Sequence, residues 1–142
     1  MRAPVIPAQP TLLLVEADDE LRGILSEVVA QLGFSSVAVA TAETARTLLR
    51  IRSLRFELVL VDCECADGSF STELLDVLAS RPSGPTAVVF ARCREAVRLA
   101  RTHRALHVGP IGPDVVNGLS RALEEGRRRG LSAPARREVA EG

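Results

Sequence analysis

Short continuous apolar runs alternate along the chain with stretches in which apolar residues recur every three or four positions. The first run ends at Val15 and has the pattern of a strand buried on both faces of a sheet. From Asp19 the spacing changes to that of an amphipathic helix, carried by Leu21, Ile24, Leu25, Val28, Val29 and Leu32. Acidic residues before this segment and Gly33 after it are start and stop signals of a helix. The pattern therefore predicts a strand over residues 11–15 and a helix after it.

The same alternation occurs four more times. Further strands are predicted over residues 34–40, 56–61, 86–90 and 106–108. A helix is predicted after each of them, with inward residues that include Ala45, Leu48, Leu49, Leu74, Leu75, Leu78, Val115, Val116, Leu119, Ala122 and Leu123. Thr41 is the predicted cap of the second helix, Arg94 to Arg104 form the fourth, and Pro113 opens the last. Five strands alternating with five helices predict an α/β fold with a doubly wound, five-stranded parallel sheet.

The two ends of the chain lack this periodicity. Residues 1–10 contain three prolines and are predicted to be a flexible arm, residues 11–129 a single domain, and residues 130–142 a disordered tail. A length of 142 residues with 46% apolar residues suffices for one core. No apolar run approaches the ~20 residues of a membrane span. Three cysteines without a secretory signal indicate reduced thiols, so we expect a cytoplasmic protein.

Charge is balanced overall but not along the chain. All 18 basic residues are arginine, and 18 acidic residues oppose them. Residues 1–91 carry a net charge of −5 and residues 92–142 a net charge of +5, which predicts opposed acidic and basic surface patches. The chain has no Tyr or Trp on which bases could stack, so nucleic acid is not an expected partner.

Polar residues follow the predicted strands at the edge where a doubly wound sheet forms its ligand site. The clearest case is Leu58 to Asp62, an apolar strand that ends in a carboxylate. Glu16 to Asp18 follow the first strand, Phe90 ends the fourth and Gly109 follows the fifth. We expect these residues to lie together at one rim of the sheet.

Three stretches resemble response-regulator receiver domains, and together the likeness covers roughly residues 11–126. Leu14 to Arg22 resembles the family's first strand, acidic pair and first helix, and Leu58 to Gly68 resembles its acceptor strand and following loop. Val108 to Ile111 resembles its Val-Lys-Pro-Phe turn. The resemblance implies a non-enzymatic domain of two-component signalling in bacteria. It also implies that Asp62 accepts a phosphoryl group from a histidine kinase beside Mg²⁺, and that the peptide before Pro110 is cis.

Most of the matching site positions depart from the family pattern. Glu16 retains the first acid of the pair, but Ala17 stands where the family has a metal ligand. Phe90 replaces the hydroxyl residue, Leu106 the aromatic residue of the switch, and Gly109 the lysine. One charge-stabilising group typically contributes ~3 kcal/mol to a transition state. Losing a metal ligand, a cation and a hydroxyl together predicts a degenerate site without Mg²⁺-dependent phosphorylation.

We therefore predict a pseudo-receiver that needs no cofactor and acts by binding another signalling protein. The first alternative is a phosphorylatable single-domain response regulator, in which Asp62 accepts phosphate from a histidine kinase. A residual acidic pocket of Glu16 and Asp18 would then help Asp62 to hold Mg²⁺. In the degenerate reading, Asp62 bonds to loop amides or pairs with Arg92 or Arg94 as a fixed counter-ion.

The cysteines open a second alternative. Cys63 and Cys65 follow Asp62 directly, and Cys93 lies in the loop after the fourth strand, so the fold would bring all three toward one edge. Such a cluster could serve as a thiol-based redox or metal sensor. Small buried apolar residues are the plainer interpretation, because Cys-x-Cys alone is a weak motif.

A basic stripe marks the fourth helix. Arg94, Arg98 and Arg101 stand at i, i+4 and i+7, on one side of the predicted helix. In receiver domains the region from the fourth to the fifth helix is the usual partner and dimer surface. The stripe is therefore a predicted docking site for another protein, and a solvated basic face and a homodimer surface stay open as alternatives.

Overall fold

The computed structural model describes residues 11–51, 53–62, 72–81, 84–90, 94–109 and 114–132. Five strands and five helices alternate through these ranges, as the pattern predicts. In chain order they are β1 (Leu12–Val15), α1 (Asp19–Gln31), β2 (Ser36–Val39), α2 (Ala42–Leu49), β3 (Leu58–Asp62), α3 (Glu73–Ala79), β4 (Thr86–Phe90), α4 (Arg94–Thr102), β5 (Leu106–Val108) and α5 (Val115–Ser132).

All five strands pair in parallel, in the order β2-β1-β3-β4-β5. The chain moves outward from β1 to β2, returns past β1 to β3, and then continues outward to β5. The strand order thus reverses between β1 and β3, and a crevice forms outside the carboxyl ends of strands at such a point. The predicted doubly wound parallel sheet is confirmed.

Helices cover both faces of the sheet, and each face has its own core. On one face lie the buried side chains of α1 and α5, and on the other those of α2, α3 and α4. Successive residues of a strand alternate between the two cores: Leu12 and Leu14 belong to the α1/α5 core, and Leu13 and Val15 to the other. Burial on both faces explains why the strands are continuous apolar runs.

Local capping fixes the ends of the first two helices. The Asp18 carboxylate accepts a hydrogen bond from the Leu21 amide at 2.9 Å, and Thr41 Oγ1 accepts one from the Thr44 amide at 3.1 Å. Gly33 follows α1 with a φ of +92°, a conformation that glycine adopts at little cost. These interactions confirm the helix boundaries expected at Asp19 and Thr41.

Two apolar residues expected in the core are exposed instead. Ile24 of α1 is 49% exposed and Val116 of α5 is 43% exposed. Ile24 stands 100° around α1 from the buried Leu25, so it falls beside the sheet contact. Val116 lies in the first turn of α5, next to the rim where the strands have ended.

The last helix extends beyond its predicted end. α5 continues to Ser132, three residues into the segment predicted to be a disordered tail from residue 130. Gly130 costs ~1 kcal/mol relative to alanine within a helix, which does not suffice to end it. Pro134 disfavours helical backbone at the residue before it and is the stronger stop signal.

Gly126 allows α5 to approach the sheet closely. It is buried, and a Cβ atom at this position would clash with the Leu58 side chain, which is itself fully buried.

Within the described ranges, no helix combines the length and the apolar character that crossing a membrane requires.

Candidate functional site

The strand register brings the candidate residues into one row at the rim. Val15 is aligned with Val61, and Asp62 with Phe90, which is aligned in turn with Val108. Leu14, Leu60 and Val88 face the α1/α5 core. Because side chains alternate along extended backbone, Glu16, Asp62 and Phe90, two residues further on, are placed on that same face. Glu16 therefore follows β1, and Asp62 ends the adjacent β3, at the switch point of the sheet.

Glu16 is part of the turn that joins β1 to α1. Glu16 is 5% exposed. Its backbone amide donates a hydrogen bond to the Val39 carbonyl oxygen at 3.0 Å, and this bond holds Glu16 beside β2. Its Oε2 atom accepts a hydrogen bond from the Asp18 amide at 3.0 Å, while the Asp18 carboxylate caps α1. Glu16 thus accepts a hydrogen bond from the backbone of the turn, and Asp18 accepts one from the first turn of α1.

An arginine that the sequence analysis did not single out lies at the same turn. Arg22 Nη1 donates to the Glu16 carbonyl oxygen at 2.9 Å, and Nη2 pairs with the Asp19 carboxylate. The Arg22 side chain is 23% exposed. A cation in the first turns of a helix is disfavoured by the helix dipole, and this mismatch is the sequence signal that would have identified it.

The four degenerate positions are all among the described residues. Phe90, in the place of the hydroxyl residue, is fully buried and belongs to the α1/α5 core. Leu106 is half-buried against the same core, so it packs where the family has an aromatic switch residue. Ala17 and Gly109 are exposed, and a Cβ atom at Gly109 would meet no described atom within 4 Å.

The described rim has fewer magnesium ligands than the family pattern provides. Mg²⁺ demands near-octahedral coordination by oxygen and is usually bound through one or two carboxylates together with waters. Ala17 has no side-chain oxygen, and Glu16 and Asp18 each direct an oxygen to a backbone amide. Among the residues that the structure describes, no group of three or more His, Cys, Asp or Glu side chains could hold a metal ion.

The arginine stripe is displayed on α4. Arg94, Arg98 and Arg101 are all exposed along this nine-residue helix. Arg98 lies 3.4 Å from the Glu95 carboxylate, and Glu95 is the one acid in the α4 sequence. The helix presents a basic surface of about two turns, as its spacing predicts.

His103, to which the sequence analysis assigned no chemistry, joins two helices. Its Nδ1 lies 2.8 Å from the Leu99 carbonyl oxygen and its Nε2 lies 2.7 Å from the Asp76 carboxylate of α3. The hydrogen bond to Leu99 raises the pKa of His103, partial burial opposes that rise, and Asp76 adds to it. The protonated imidazolium, with both nitrogens as donors, therefore fits this position and ties α4 to α3.

Several residues of the sequence prediction fall outside the described ranges. They are Cys63, Cys65, Asp67, Gly68, Arg92, Cys93, Pro110 and Ile111. The thiol cluster, the counter-ion role of Arg92 and the cis peptide before Pro110 therefore stay predictions.

Comparison with known proteins finds likeness in structure alone. No protein-family model matches the sequence, and no curated protein matches it either. A CheY-like response regulator receiver domain from Methanospirillum hungatei JF-1 is similar in structure, with a TM-score of 0.63 and 22% identity over 86% of this chain and 99% of that one. The signal receiver domain of a LuxO repressor protein from Vibrio parahaemolyticus has a TM-score of 0.69 and 15% identity over 94% and 98% of the two chains.

A third similar structure carries a different name. It is an adenylate cyclase from Rhodopirellula baltica, with a TM-score of 0.72 and 14% identity over 94% of this chain and 97% of that one. At such low identities the likeness shows the fold and not the activity. In its strand order, its parallel register and its two helical layers, the chain has the fold of a response-regulator receiver domain.

Proposed function

We propose that this chain is a receiver-like domain of bacterial two-component signalling, located in the cytoplasm, that acts by binding another protein and not by Mg²⁺-dependent phosphorylation of Asp62. The observation that carries the proposal is the burial of Phe90. This residue is aligned with Asp62 across the sheet and is fully buried in the α1/α5 core. A benzyl group thus occupies the position at which a receiver places the hydroxyl that meets the transferred phosphate.

The remaining rim positions support the same proposal. Phosphoryl transfer depends on positioning and on stabilising negative charge on the moving oxygens. Gly109 supplies no cation and Ala17 supplies no metal ligand, although Asp62 stands at the end of β3. Each missing charge-stabilising group lowers the rate by about 10²–10³, so we expect transfer to Asp62 to be far too slow for signalling.

The proposal predicts no phosphoryl adduct. Incubation of the protein with Mg²⁺ and acetyl phosphate should leave its intact mass unchanged, because the rim lacks the groups that would stabilise transfer. The measurement is electrospray mass spectrometry over a time course, with an active receiver domain treated in parallel. A stoichiometric adduct that disappears in Asp62→Asn would refute the proposal and establish the phosphorylatable alternative.

The α4 stripe is the surface that we propose for docking. The helix carries three exposed arginines and one acid, so its net charge is +2. Arginine pairs with carboxylates in a planar, bidentate geometry, which suits a partner that displays Asp or Glu. A symmetric dimer through this stripe would bring six arginines together, so its charge favours an acidic partner over a second copy of the chain.

Charge reversal tests the docking surface. The variant Arg94→Glu/Arg98→Glu/Arg101→Glu should lose capture of its partner from an extract of the source cells, since like charges brought together across an interface cost several kcal/mol. Quantitative pull-down against the wild-type protein measures the loss, and circular dichroism verifies the fold. The control Arg50→Glu/Arg55→Glu/Arg81→Glu reverses three exposed arginines that lie outside the segment from α4 to α5. Equal capture of the partner by both variants would count against α4 as the docking surface.

A further inference from the structure

His103 joins the end of α4 to α3. It follows the last residue of α4, and its side chain is 12% exposed. Nδ1 lies 2.8 Å from the Leu99 carbonyl oxygen, which also accepts the His103 backbone amide at 3.1 Å. Nε2 lies 2.7 Å from the Asp76 carboxylate of α3. The ring therefore lies between two hydrogen-bond acceptors that belong to different helices.

Only the protonated ring can satisfy both acceptors. An imidazolium has two N–H donors, whereas a neutral imidazole has one donor and one lone pair. In either neutral tautomer a lone pair faces the Leu99 oxygen or the Asp76 carboxylate, so one of the two hydrogen bonds is lost. The carboxyl end of the α4 dipole also favours a cation at this position. Protonation of His103 is therefore linked to the attachment of α4 to α3.

The charges around His103 agree with this linkage. The hydrogen bond to Leu99 is the largest cause of the raised pKa of His103, burial opposes it, and Asp76 adds to the rise. Asp76 is exposed, so water screens its charge and its contribution is the smaller one. The other charged or titratable side chains of α3, of the end of α4 and of β5 are all exposed: Glu73, Arg81, Arg98, Arg101, Arg104 and His107.

The attachment of α4 to the sheet has little other support. The fully buried side chains of α4 are Ala96 and Ala100, each of which contributes a single methyl group. The last helix, in contrast, buries Leu119 and Leu123 completely. An element that buries little apolar surface opens locally at a lower free-energy cost than the rest of the domain. The hydrogen bonds of His103 are therefore a large part of what holds the carboxyl end of α4.

We propose that His103 is a proton-dependent latch that fixes the last turns of α4 to α3 and thereby holds the arginine stripe in position. The inference deepens the proposed function and rests on it in one respect, namely that the stripe of α4 is the docking surface. Arginine stays charged throughout the physiological pH range. A change of pH therefore acts on the stripe through the attachment of its helix and not through its charges.

The first test is the pH dependence of stability. Because the pKa of His103 is raised in the folded state, the latch contributes fully below the ordinary histidine value of 6.5 and is lost as the pH rises through the higher folded value. Urea unfolding is measured at about pH 5.5 and about pH 8, on either side of the ordinary value. Relative to His103→Gln, the unfolding constant of the wild-type protein should rise by about ten-fold between them, as expected for one hydrogen bond to a charged group.

The matched control is His107→Gln, which removes the other histidine of the chain, an exposed residue of β5. This variant should keep the pH dependence of the wild-type protein. Asp76→Asn keeps an oxygen acceptor but removes the charge, so it should lower the pKa of His103, which NMR titration of the imidazole signals measures.

The second test localises the effect to α4. Amide hydrogen exchange, corrected for the intrinsic rate at each pH, should show that protection of the last turns of α4 falls by about ten-fold at the higher pH. In His103→Gln this protection should be low at both pH values, and the amides of α1 serve as the reference within the same molecule. Capture of the partner should decrease at the higher pH more in the wild-type protein than in His103→Gln.

Four outcomes would overturn the proposal. They are an equal pH dependence of unfolding in the wild type and His103→Gln, protection of α4 in the wild type that does not fall with pH, an unchanged pKa of His103 in Asp76→Asn, and an equal pH dependence of capture in the wild type and His103→Gln. If His103→Gln is unfolded, protection of α4 in the wild type and the titration of Asp76→Asn decide. Capture that survives reversal of the stripe would instead refute the docking surface and leave the results on stability and exchange unaffected.

Discussion

Replacing Phe90 with threonine is expected to destabilise the protein by about 3 kcal/mol, because truncating a buried phenylalanine leaves a cavity and the new hydroxyl enters an apolar core. Phe90 is fully buried among Leu14, Leu60, Val88 and Leu119. Close-packed side chains of this kind relax only partly around a void. The substitution that would restore a receiver hydroxyl therefore removes part of the core.

Urea denaturation checks this expectation. The midpoint of unfolding should fall while the slope of free energy against urea stays the same, since the change concerns the folded core and not the compactness of the unfolded chain. Phe90→Leu, which retains most of the apolar volume, is the control and should cost less than about 1.5 kcal/mol. A loss below about 1 kcal/mol for Phe90→Thr would show that the site relaxes freely and would weaken the argument from Phe90.

The fold is predictable from the sequence because each strand is buried on both faces. A run such as Leu58 to Val61 has no polar interruption, so it reads directly as a strand between two helical layers. The helix ends are predictable for a related reason: Asp18, Thr41 and Gly33 act on their own neighbours, within three residues. Interactions of this kind can be predicted without knowledge of the tertiary structure.

The candidate site is only partly predictable. The ends of β1 and β3 meet because parallel register places them side by side, so Glu16 and Asp62 can be found from the pattern. The contact between His103 and Asp76 cannot, because 27 residues separate them and nothing local marks the pair. Arg22 is an intermediate case, since its contacts are local but its direction, back toward β1, depends on the folded turn.

The exposure of residues on a helix is harder to predict from the sequence than the position of the helix. Ile24 and Val116 fit a helical apolar stripe, but neither lies in the contact between its helix and the sheet. An apolar stripe indicates which side of a helix packs against the sheet, but it does not indicate how wide the contact surface is. The same limit applies to the tail, where Gly130 reads as a stop although α5 continues to Ser132.

Restoring charge to the rim is expected to restore phosphorylation. The variant Ala17→Asp/Gly109→Lys should acquire a Mg²⁺-dependent phosphoryl group on Asp62 at least about 10²-fold faster than the wild-type protein, because each substitution adds one group that stabilises the transferred charge. In this step a carboxylate oxygen of Asp62 forms a bond to the phosphorus of acetyl phosphate, and acetate leaves. Both positions are exposed, and no described atom lies within 4 Å of a Cβ atom at Gly109, so the new side chains can be accommodated.

Intact mass measured over time gives the rate, with omission of Mg²⁺ and the added substitution Asp62→Asn as controls. Phe90 is retained, so this part of the core is unchanged, and circular dichroism verifies that the variant is folded. Each single substitution should give an intermediate rate or none, since metal ligand and cation act on the same transition state and their effects are not additive. A restored variant as inert as the wild type would mean that the rim is closed to phosphate for a reason other than its missing charges.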